Sequence, residues 1–279
     1  MTISRDGNPG YLLTTQYRTN RNLSRRFDLH RRFSTNSYGW HRWVFDHFLL
    51  PEDALILELG CGVGSLWLEN RDRIPRDWQI TISDFSPGMI DGARQQLRDV
   101  APNISFEVID VVSIPHADRA FDGVIANHML YHVPDRSRAL REIRRVLRPG
   151  GRLYASTNGR LHMWELDELI RRHAPEVEHD DVAGRFGLEN GSEQLEPWFV
   201  EVDRHVYQDS LEITEAEPLL EYARSMSGKE HLTGAQIDRM YRTVTDTITG
   251  FGAFRVTKAA GLFSCLVGNE LTTSDGCSV

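Results

Sequence analysis

Five short apolar segments, separated by stretches with helical periodicity, constrain the fold of this chain more than any other feature. The segments are 54–59, 79–84, 104–110, 121–127 and 151–157. Short apolar strands that alternate with helices typically pack as a parallel sheet covered on both faces. The pattern therefore predicts a doubly wound α/β fold.

A glycine-rich turn follows the first of these segments. Glu58 is followed by Gly60, Gly62 and Gly64. Ligands of doubly wound sheets bind beyond the carboxyl ends of the strands, where glycines permit a tight turn and a close approach to the backbone. Asp84 ends the second segment, where a carboxylate can accept hydrogen bonds from both hydroxyls of a ribose. The turn and the acid together predict a site for a cofactor that contains a nucleoside.

Two classes of cofactor use a turn of this kind. In a nicotinamide dinucleotide fingerprint, G-x-G-x-x-G/A, the pyrophosphate lies at a helix N-terminus, but here the third small position is Ser65 and Gly64 comes one residue early. Glu58 would also place a negative charge close to the phosphates. A cofactor with an ammonium and a sulfonium fits these residues better. An NAD-dependent oxidoreductase stays open as an alternative, as does an adaptor that binds the cofactor without catalysis.

The same region resembles the class I S-adenosylmethionine-dependent methyltransferases. The motifs that carry the resemblance follow in family order over residues 54–157: ELGCGVG, SDFSPGMI, VIDVVSIP, FDGVIANHMLYHVPD and LREIRRVLRPGGRLYAST. The resemblance implies a seven-stranded, mostly parallel sheet in the order 3-2-1-4-5-7-6, with strand seven antiparallel. It also implies methyl transfer from S-adenosylmethionine to a small-molecule acceptor, in specialised metabolism, with O-, N- and C-methylation all open.

Roles for individual residues follow from this resemblance. Glu58 and the glycine turn would hold the amino-acid end of the cofactor, and Asp84 would hold its ribose. Asp110 would accept a hydrogen bond from the adenine amino group, and Asn127 would lie beside the methionine. The whole predicted cofactor site consists of Glu58, Gly60, Cys61, Gly62, Gly64, Asp84, Phe85, Met89, Asp110, Val111 and Asn127. Packing in the core is an equally good interpretation of Phe85 and Met89.

Four side chains are candidates for a general base: His132, His128, Tyr17 and His162. An acceptor such as a phenol must lose a proton, and imidazole is the side chain whose ordinary pKa suits that step near neutrality. His132 is the preferred general base. No metal is expected, because Asn127 stands where metal-dependent relatives place a carboxylate, and one oxygen ligand is too few for a hard cation.

The two flanking regions are less regular. We predict a helical lid over 1–50 and a methyltransferase domain over 51–279, with a helical substrate cap inserted at about 160–250. We expect a strand at 199–207, inside the range of the cap. After the cap, we expect a strand pair over 253–267 that turns at Ala260–Gly261.

Charged residues are distributed unevenly along the sequence. Residues 1–50 hold eight arginines against three aspartates, and residues 176–221 hold fourteen acidic residues against two arginines. These segments are either two solvated faces or docking partners, within one chain or between subunits of a homo-oligomer.

Composition excludes several classes of protein. The net charge of −8 gives no indication of nucleic-acid binding. No apolar run approaches the ~18 residues that a membrane span needs, and the first residues lack a signal peptide, so a cytoplasmic protein is expected. Three widely spaced cysteines argue against a disulfide framework and against a thiolate metal site.

Overall fold

A seven-stranded sheet forms the centre of the computed structural model, which describes residues 21–100, 103–177, 180–226, 229 and 231–268, with the backbone alone over 21–26. The strands are β1 (Leu55–Leu59), β2 (Gln79–Asp84), β3 (Ile104–Val108), β4 (Phe121–Asn127), β5 (Leu147–Asn158), β6 (Glu201–Ile213) and β7 (Phe254–Leu266). Their order is β3-β2-β1-β4-β5-β7-β6. The strands β1 to β5 pair in parallel, and β7 is antiparallel to both of its neighbours. The predicted fold class and strand order are confirmed.

Helices cover both faces of the sheet. They are α1 (Arg21–Phe33), α2 (Trp40–Asp46), α3 (Ser65–Glu69), α4 (Pro87–Leu97), α5 (Arg136–Val146), α6 (Trp164–His173), α7 (Val182–Arg185), α8 (Gly191–Leu195), α9 (Ala216–Ser225) and α10 (Gly234–Phe251), with a 3₁₀ helix at Leu130–His132. Their starts follow local chemistry. Asp135 accepts a hydrogen bond from the backbone N–H of Arg138 at 3.0 Å, which caps α5, and Pro87 occupies the first position of α4.

Strand alternation decides which side chains face which helices. In β1, Ile56 packs with α2, α3 and α4, whereas Leu57 and Leu59 pack with α5 on the opposite face. Because side chains alternate along a strand, Glu58 shares the face of Ile56 and points towards α3. A third core lies at the far end of β6 and β7, where α1, α6, α9 and α10 pack together. Within the predicted cap range, β6 belongs to the sheet.

The structure corrects the predicted strand pair over 253–267. β7 is one uninterrupted strand that pairs with β6 along its whole length and with β5 along its second half. Gly261 is therefore not part of a turn. A Cβ atom there would lie 2.3 Å from the carbonyl oxygen of His205 and 2.9 Å from Leu188 Cδ2. A glycine is needed here because the backbone of β6 comes close to it inside the sheet. The sequence alone cannot distinguish this reason for a glycine from a turn.

We expect Gly261→Ala to lower the free energy of unfolding by about 1–3 kcal/mol, because the added methyl group would press on the backbone of β6. Urea unfolding monitored by circular dichroism measures this change. Gly250→Ala is the matched control, since a Cβ atom there has nothing within 4 Å and the residue lies in α10. Equal behaviour of the two variants would contradict the close approach at Gly261.

Candidate active site

The glycine turn after β1 adopts a backbone conformation that favours glycine at three positions. Gly60, Gly62 and Gly64 have φ angles of 73°, 56° and 80°. A Cβ atom would lie 2.8 Å from Met129 Cβ at the first position and 2.5 Å from Leu97 Cδ1 at the third. Left-handed φ and close packing therefore both require glycine here, and the turn leaves its backbone open towards a cavity.

Glu58 is buried beneath this turn, with an exposed fraction of 2%. The indole N–H of Trp67, on α3, donates to its Oε2 at 2.6 Å. Burial raises the pKa of Glu58 to about 7, although the Trp67 hydrogen bond acts in the opposite direction. Cys61 lies beside it in the same wall, and burial raises the pKa of its thiol well above the usual range. Cys61 is therefore an inert part of the turn, while Glu58 lies near its titration point at neutral pH.

Asp84 connects the end of β2 to the same turn. Its Oδ2 accepts a hydrogen bond from the backbone N–H of Gly62 at 3.0 Å, and its Oδ1 accepts one from the backbone N–H of Ser86 at 2.8 Å. Burial raises the pKa of this carboxyl to about 6. The backbone N–H of Phe85 also interacts with this carboxyl group, and since a carboxylate has about four acceptor positions, it keeps acceptor capacity for a ligand.

The remaining predicted cofactor residues lie along the same cavity. Phe85, Met89, Asp110 and Val111 all line it. Met89 is only 1% exposed, so it is at once part of the cavity wall and part of the core. Asp110 accepts a hydrogen bond from the backbone N–H of Val112 at 3.1 Å, which orders the loop after β3.

Asn127 ends β4, His128 follows it, and both line the cavity. Ser156 Oγ donates to Asn127 Oδ1 at 3.0 Å, and Asn127 Nδ2 is buried without a close partner among the described residues. The group that this amide approaches is Glu58, whose pKa the interaction lowers. His128 has a φ angle of 48°, and burial lowers the pKa of its imidazole to about 3. That ring is neutral at physiological pH.

His132 lies in the 3₁₀ helix and also lines the cavity. Its ring centroid is 4.5 Å from that of Tyr131, whose carbonyl oxygen accepts a hydrogen bond from Arg185 Nε at 2.8 Å. Arg185 thus holds the loop that carries His132. Tyr17, another candidate for the general base, lies outside the described residues.

A further part of the cavity lining, which we call the polar wall, consists of Trp40, His162 and Lys258, with Asp209 behind them. Sequence reasoning pointed to Trp40 and His162 but missed Lys258 and Asp209. Lys258 forms an ion pair with Asp209, and the two are directly opposite each other on β7 and β6. One sequence signal was available, because Lys258 is one of only two lysines in the chain. Its partner, however, is 49 residues away and becomes apparent only from the strand register.

The cofactor residues and the polar wall line one cavity of about 2050 Å³. A site for a single small ligand typically occupies about 300–1,000 Å³. The cavity therefore has room for two molecules side by side. In the described part of the chain, no three His, Cys, Asp or Glu side chains lie together as a metal site would require.

Known proteins resemble this chain mainly in the cofactor half. Residues 57–155 match a family model described as a methyltransferase domain. The methyltransferase GfsG of Streptomyces halstedii is 35% identical over 102 residues, which cover 35% of this chain and 35% of that protein. The ubiquinone/menaquinone biosynthesis C-methyltransferase UbiE of Geotalea daltonii is 34% identical over 117 residues, which cover 41% of this chain and 50% of that protein. The chain therefore spans a third to a half of the length of these relatives.

A solved structure extends the likeness in fold over nearly the whole chain. Phosphoethanolamine N-methyltransferase 2 of Haemonchus contortus, in complex with phosphomonomethylethanolamine and S-adenosylhomocysteine, has a TM-score of 0.58 at 15% identity. The match covers 96% of this chain and 61% of that one. At this level of identity the likeness concerns the fold. In the described part of this chain, no helix combines the length and apolar character that a membrane crossing needs.

We expect the affinity for S-adenosylmethionine, a cation at its sulfonium, to rise with pH between about 5.5 and 8. The ionised carboxylates bind a cation better, and the pKa values of Glu58 and Asp84 are raised to about 7 and about 6 in the unliganded protein. Affinity should therefore fall as the pH drops through these values. Isothermal titration calorimetry across this range measures the effect, and Glu58→Gln should remove the upper of the two steps. A flat profile would show that neither carboxyl group changes its protonation on binding.

Proposed function

Because this chain carries a class I S-adenosylmethionine-dependent methyltransferase domain, we propose that it transfers the methyl group of S-adenosylmethionine to a small-molecule acceptor. The observation that carries the proposal is the single cavity, in which the glycine turn and the polar wall face the same space. Its volume of about 2050 Å³ accommodates a cofactor and an acceptor together.

The residues of the turn fit this cofactor by their chemistry. Glu58 and Asp84 offer carboxylates to the ammonium and the ribose hydroxyls, and Asn127 Nδ2 is a buried donor beside Glu58. The left-handed glycines leave no Cβ atoms over the turn. A dinucleotide fits less well, because Glu58, Asp84 and Asp110 place carboxyl groups at the ends of three neighbouring strands, where a pyrophosphate would meet like charges.

Methyl transfer requires alignment above all. The cofactor supplies a methyl carbon bound to a sulfonium; the acceptor forms a bond to that carbon as the carbon–sulfur bond breaks, and the bonding pair stays on sulfur. Alignment of two bound molecules can contribute about 7–11 kcal/mol. The chain contributes a rigid turn on one side and an aromatic and polar wall on the other.

The proposed acceptor is a small aromatic or enolic molecule, methylated on carbon or oxygen. Aromatic side chains from several segments line the cavity, among them Trp40, Tyr131 and Tyr222. The UbiE relative is named a C-methyltransferase of ubiquinone and menaquinone biosynthesis, a role that supports an acceptor of this class without extending to this chain.

We also propose that the N-terminal segment 1–50 acts as the lid of this cavity and that part of 160–250 acts as the cap, within a methyltransferase domain of 51–279. Asp28, Arg31 and Trp40 line the cavity from α1 and α2. Arg32 donates to Glu215 at 2.6 Å, so the basic and the acidic segments meet at this pair within one chain. A second copy of the chain is therefore not needed for that contact.

Cofactor binding and label transfer test the function directly. Calorimetry should show binding of S-adenosylhomocysteine and none of NAD. Radiolabelled S-adenosylmethionine, incubated with a panel of phenols and enols, should give labelled products. Binding of NAD in place of S-adenosylhomocysteine would contradict the proposal and favour an oxidoreductase, and cofactor binding without any labelled product would favour a silent adaptor.

Asp84→Ala should weaken S-adenosylhomocysteine binding by at least about tenfold, because a hydrogen bond to a charged acceptor contributes roughly 1.5–3 kcal/mol. Isothermal titration calorimetry on the folded variant measures the loss. Asp91→Ala is the matched control, since Asp91 is an exposed aspartate on α4 that pairs with Arg94. If both variants bind with the affinity of the unaltered protein, Asp84 is not a ribose ligand.

His132→Ala tests the predicted general base. Turnover should fall by about 10²–10⁴-fold while cofactor affinity stays unchanged, and the loss should be smaller for acceptors of lower pKa, which are already ionised. The measurement is the label-transfer rate across a series of phenols. His116→Ala is the control, because His116 contacts Glu107 at 3.1 Å and is not part of the cavity lining. An equal loss for every phenol would make His132 a positioning residue.

A further inference from the structure

A buried ion pair lies at the cavity, and its residues are not among the predicted cofactor residues. Lys258 and Asp209 are Cα partners on β7 and β6, and their side chains are 9% and 0% exposed. Burial of two charges is costly unless the pair is well connected by hydrogen bonds. A costly pair at the wall of a ligand cavity suggests a role in binding the ligand.

The pair is oriented, with its positive end towards the cavity. Lys258 lines the cavity, whereas Asp209 does not. The Asp209 carboxylate accepts further hydrogen bonds from Ser34 Oγ and, at 3.0 Å, from the backbone N–H of Asn36. Its negative charge is thus stabilised by the segment that follows α1. Lys258 has three N–H donors, and its two recorded partners are Asp209 and, at 3.5 Å, Ser34 Oγ.

One further polar atom of the same wall lacks a partner. Trp40 Nε1 is buried and has no hydrogen-bond partner among the described residues. The Trp40 ring centroid is 5.3 Å from that of Tyr207, and Lys258 Nζ is 5.7 Å from the same ring, so both side chains pack around Tyr207. The imidazole of His162 interacts with the backbone of Ala259, and the hydroxyl of Tyr207 interacts with the backbone of Gly39. An indole and an ammonium are donors only, so the wall is suited to oxygen acceptors.

Carboxyl groups outnumber cations among the residues that line the cavity as a whole, but Lys258 is the charged residue of the polar wall that faces it. His128 and His162 have pKa values lowered to about 3 and about 4, chiefly by burial, with the charge of Lys258 acting in the same direction. The cavity lining also includes Glu217 and Glu221 of α9 and the preceding Glu215. Glu215 pairs with Arg32 and Glu221 with Arg224.

We propose that the acceptor is bound as an oxyanion, a phenolate or an enolate, whose negative oxygen is held by Lys258 at the polar wall. This inference rests on the proposed function and names the acceptor class of the same site. The acceptor loses its proton to solvent on binding, and an electron pair of the anion, from oxygen or from the conjugated carbon, forms the bond to the methyl carbon. The carbon–sulfur pair stays on sulfur, so the anion and the sulfonium yield two neutral products. Lys258 determines specificity, and it favours acidic hydroxyl compounds over amines and ethers.

The test compares phenols with their methyl ethers in the presence of S-adenosylhomocysteine. The probes are three matched pairs, of which 4-nitrophenol and 4-nitroanisole form the first, because the absorption band of 4-nitrophenolate reports its ionisation in the bound state. Three proteins are compared: the unaltered chain, Asp209→Asn, and Asp209→Asn combined with Lys258→Met. Both variants carry Asp209→Asn, so that removal of the lysine does not leave a buried carboxylate unpaired. Arg255→Met is the control, since Arg255 is an exposed cation on the same strand, outside the cavity lining.

The two substitutions should act in opposite directions. The unaltered chain should bind each phenolate at least about tenfold more tightly than its ether and lower the pKa of bound 4-nitrophenol. Asp209→Asn leaves Lys258 without its counter-charge and should strengthen this preference. The double variant should lose it, and Arg255→Met should keep it.

Several results would overturn the inference. For the unaltered chain, these are equal binding of phenol and ether, or no binding of any of the three pairs. For the variants, they are a weaker preference for the phenolate in Asp209→Asn, or an unchanged preference in the double variant. Each protein is first tested for S-adenosylhomocysteine binding. Failure of the unaltered chain at that step would overturn the proposed function itself, whereas loss of phenolate preference with the cofactor product bound concerns the acceptor class alone.

Discussion

The hydrogen bond from the Gly62 amide to the Asp84 carboxylate joins the two strand ends on which the site is built. It can form only because β1 and β2 are parallel neighbours, so that both chains end at the same edge of the sheet. It also requires the left-handed backbone at Gly62, since that conformation turns the N–H towards β2. Glu58 and Asn127 lie at the same edge, because β1 and β4 are also parallel neighbours. One constraint on strand direction thus brings together residues from strands that are far apart in the chain.

Much of the cofactor half could be predicted from the sequence because its information is local. Apolar runs indicate β1 to β5, and an acid or a glycine at the end of a run indicates the ligand edge. The matched methyltransferase domain confirms the resemblance on which the strand order depended. The polar wall could not be predicted in this way. The pairing of Asp209 with Lys258 depends on the register of two long strands, and Ser34 reaches the same carboxylate from 175 residues away.

The histidines show how burial changes the meaning of a residue type. A histidine near a predicted methyl site suggests a general base, because the ordinary pKa of imidazole is near neutrality. His128 and His162 are instead buried, and desolvation keeps both rings uncharged by lowering their pKa values. A ring with so low a pKa is a weak proton acceptor for a hydroxyl group. The proposed charge stabilisation by Lys258 and the predicted proton removal by His132 are therefore separate ways to generate the same nucleophile, and burial makes His128 and His162 poor substitutes for either.

The cofactor residues and the polar wall come from different parts of the sequence. One unbroken stretch from Glu58 to His128 provides the cofactor residues, whereas the polar wall takes Trp40 from one end of the chain and Lys258 from the other. The family model matches this chain over 57–155, the range that contains the first stretch. Since the two sets of residues share few hydrogen bonds, sequence change in the flanks can alter which acceptor is bound while the nucleoside site stays intact. The architecture thereby separates the part of the chain that would determine the acceptor from the part that would hold the methyl donor.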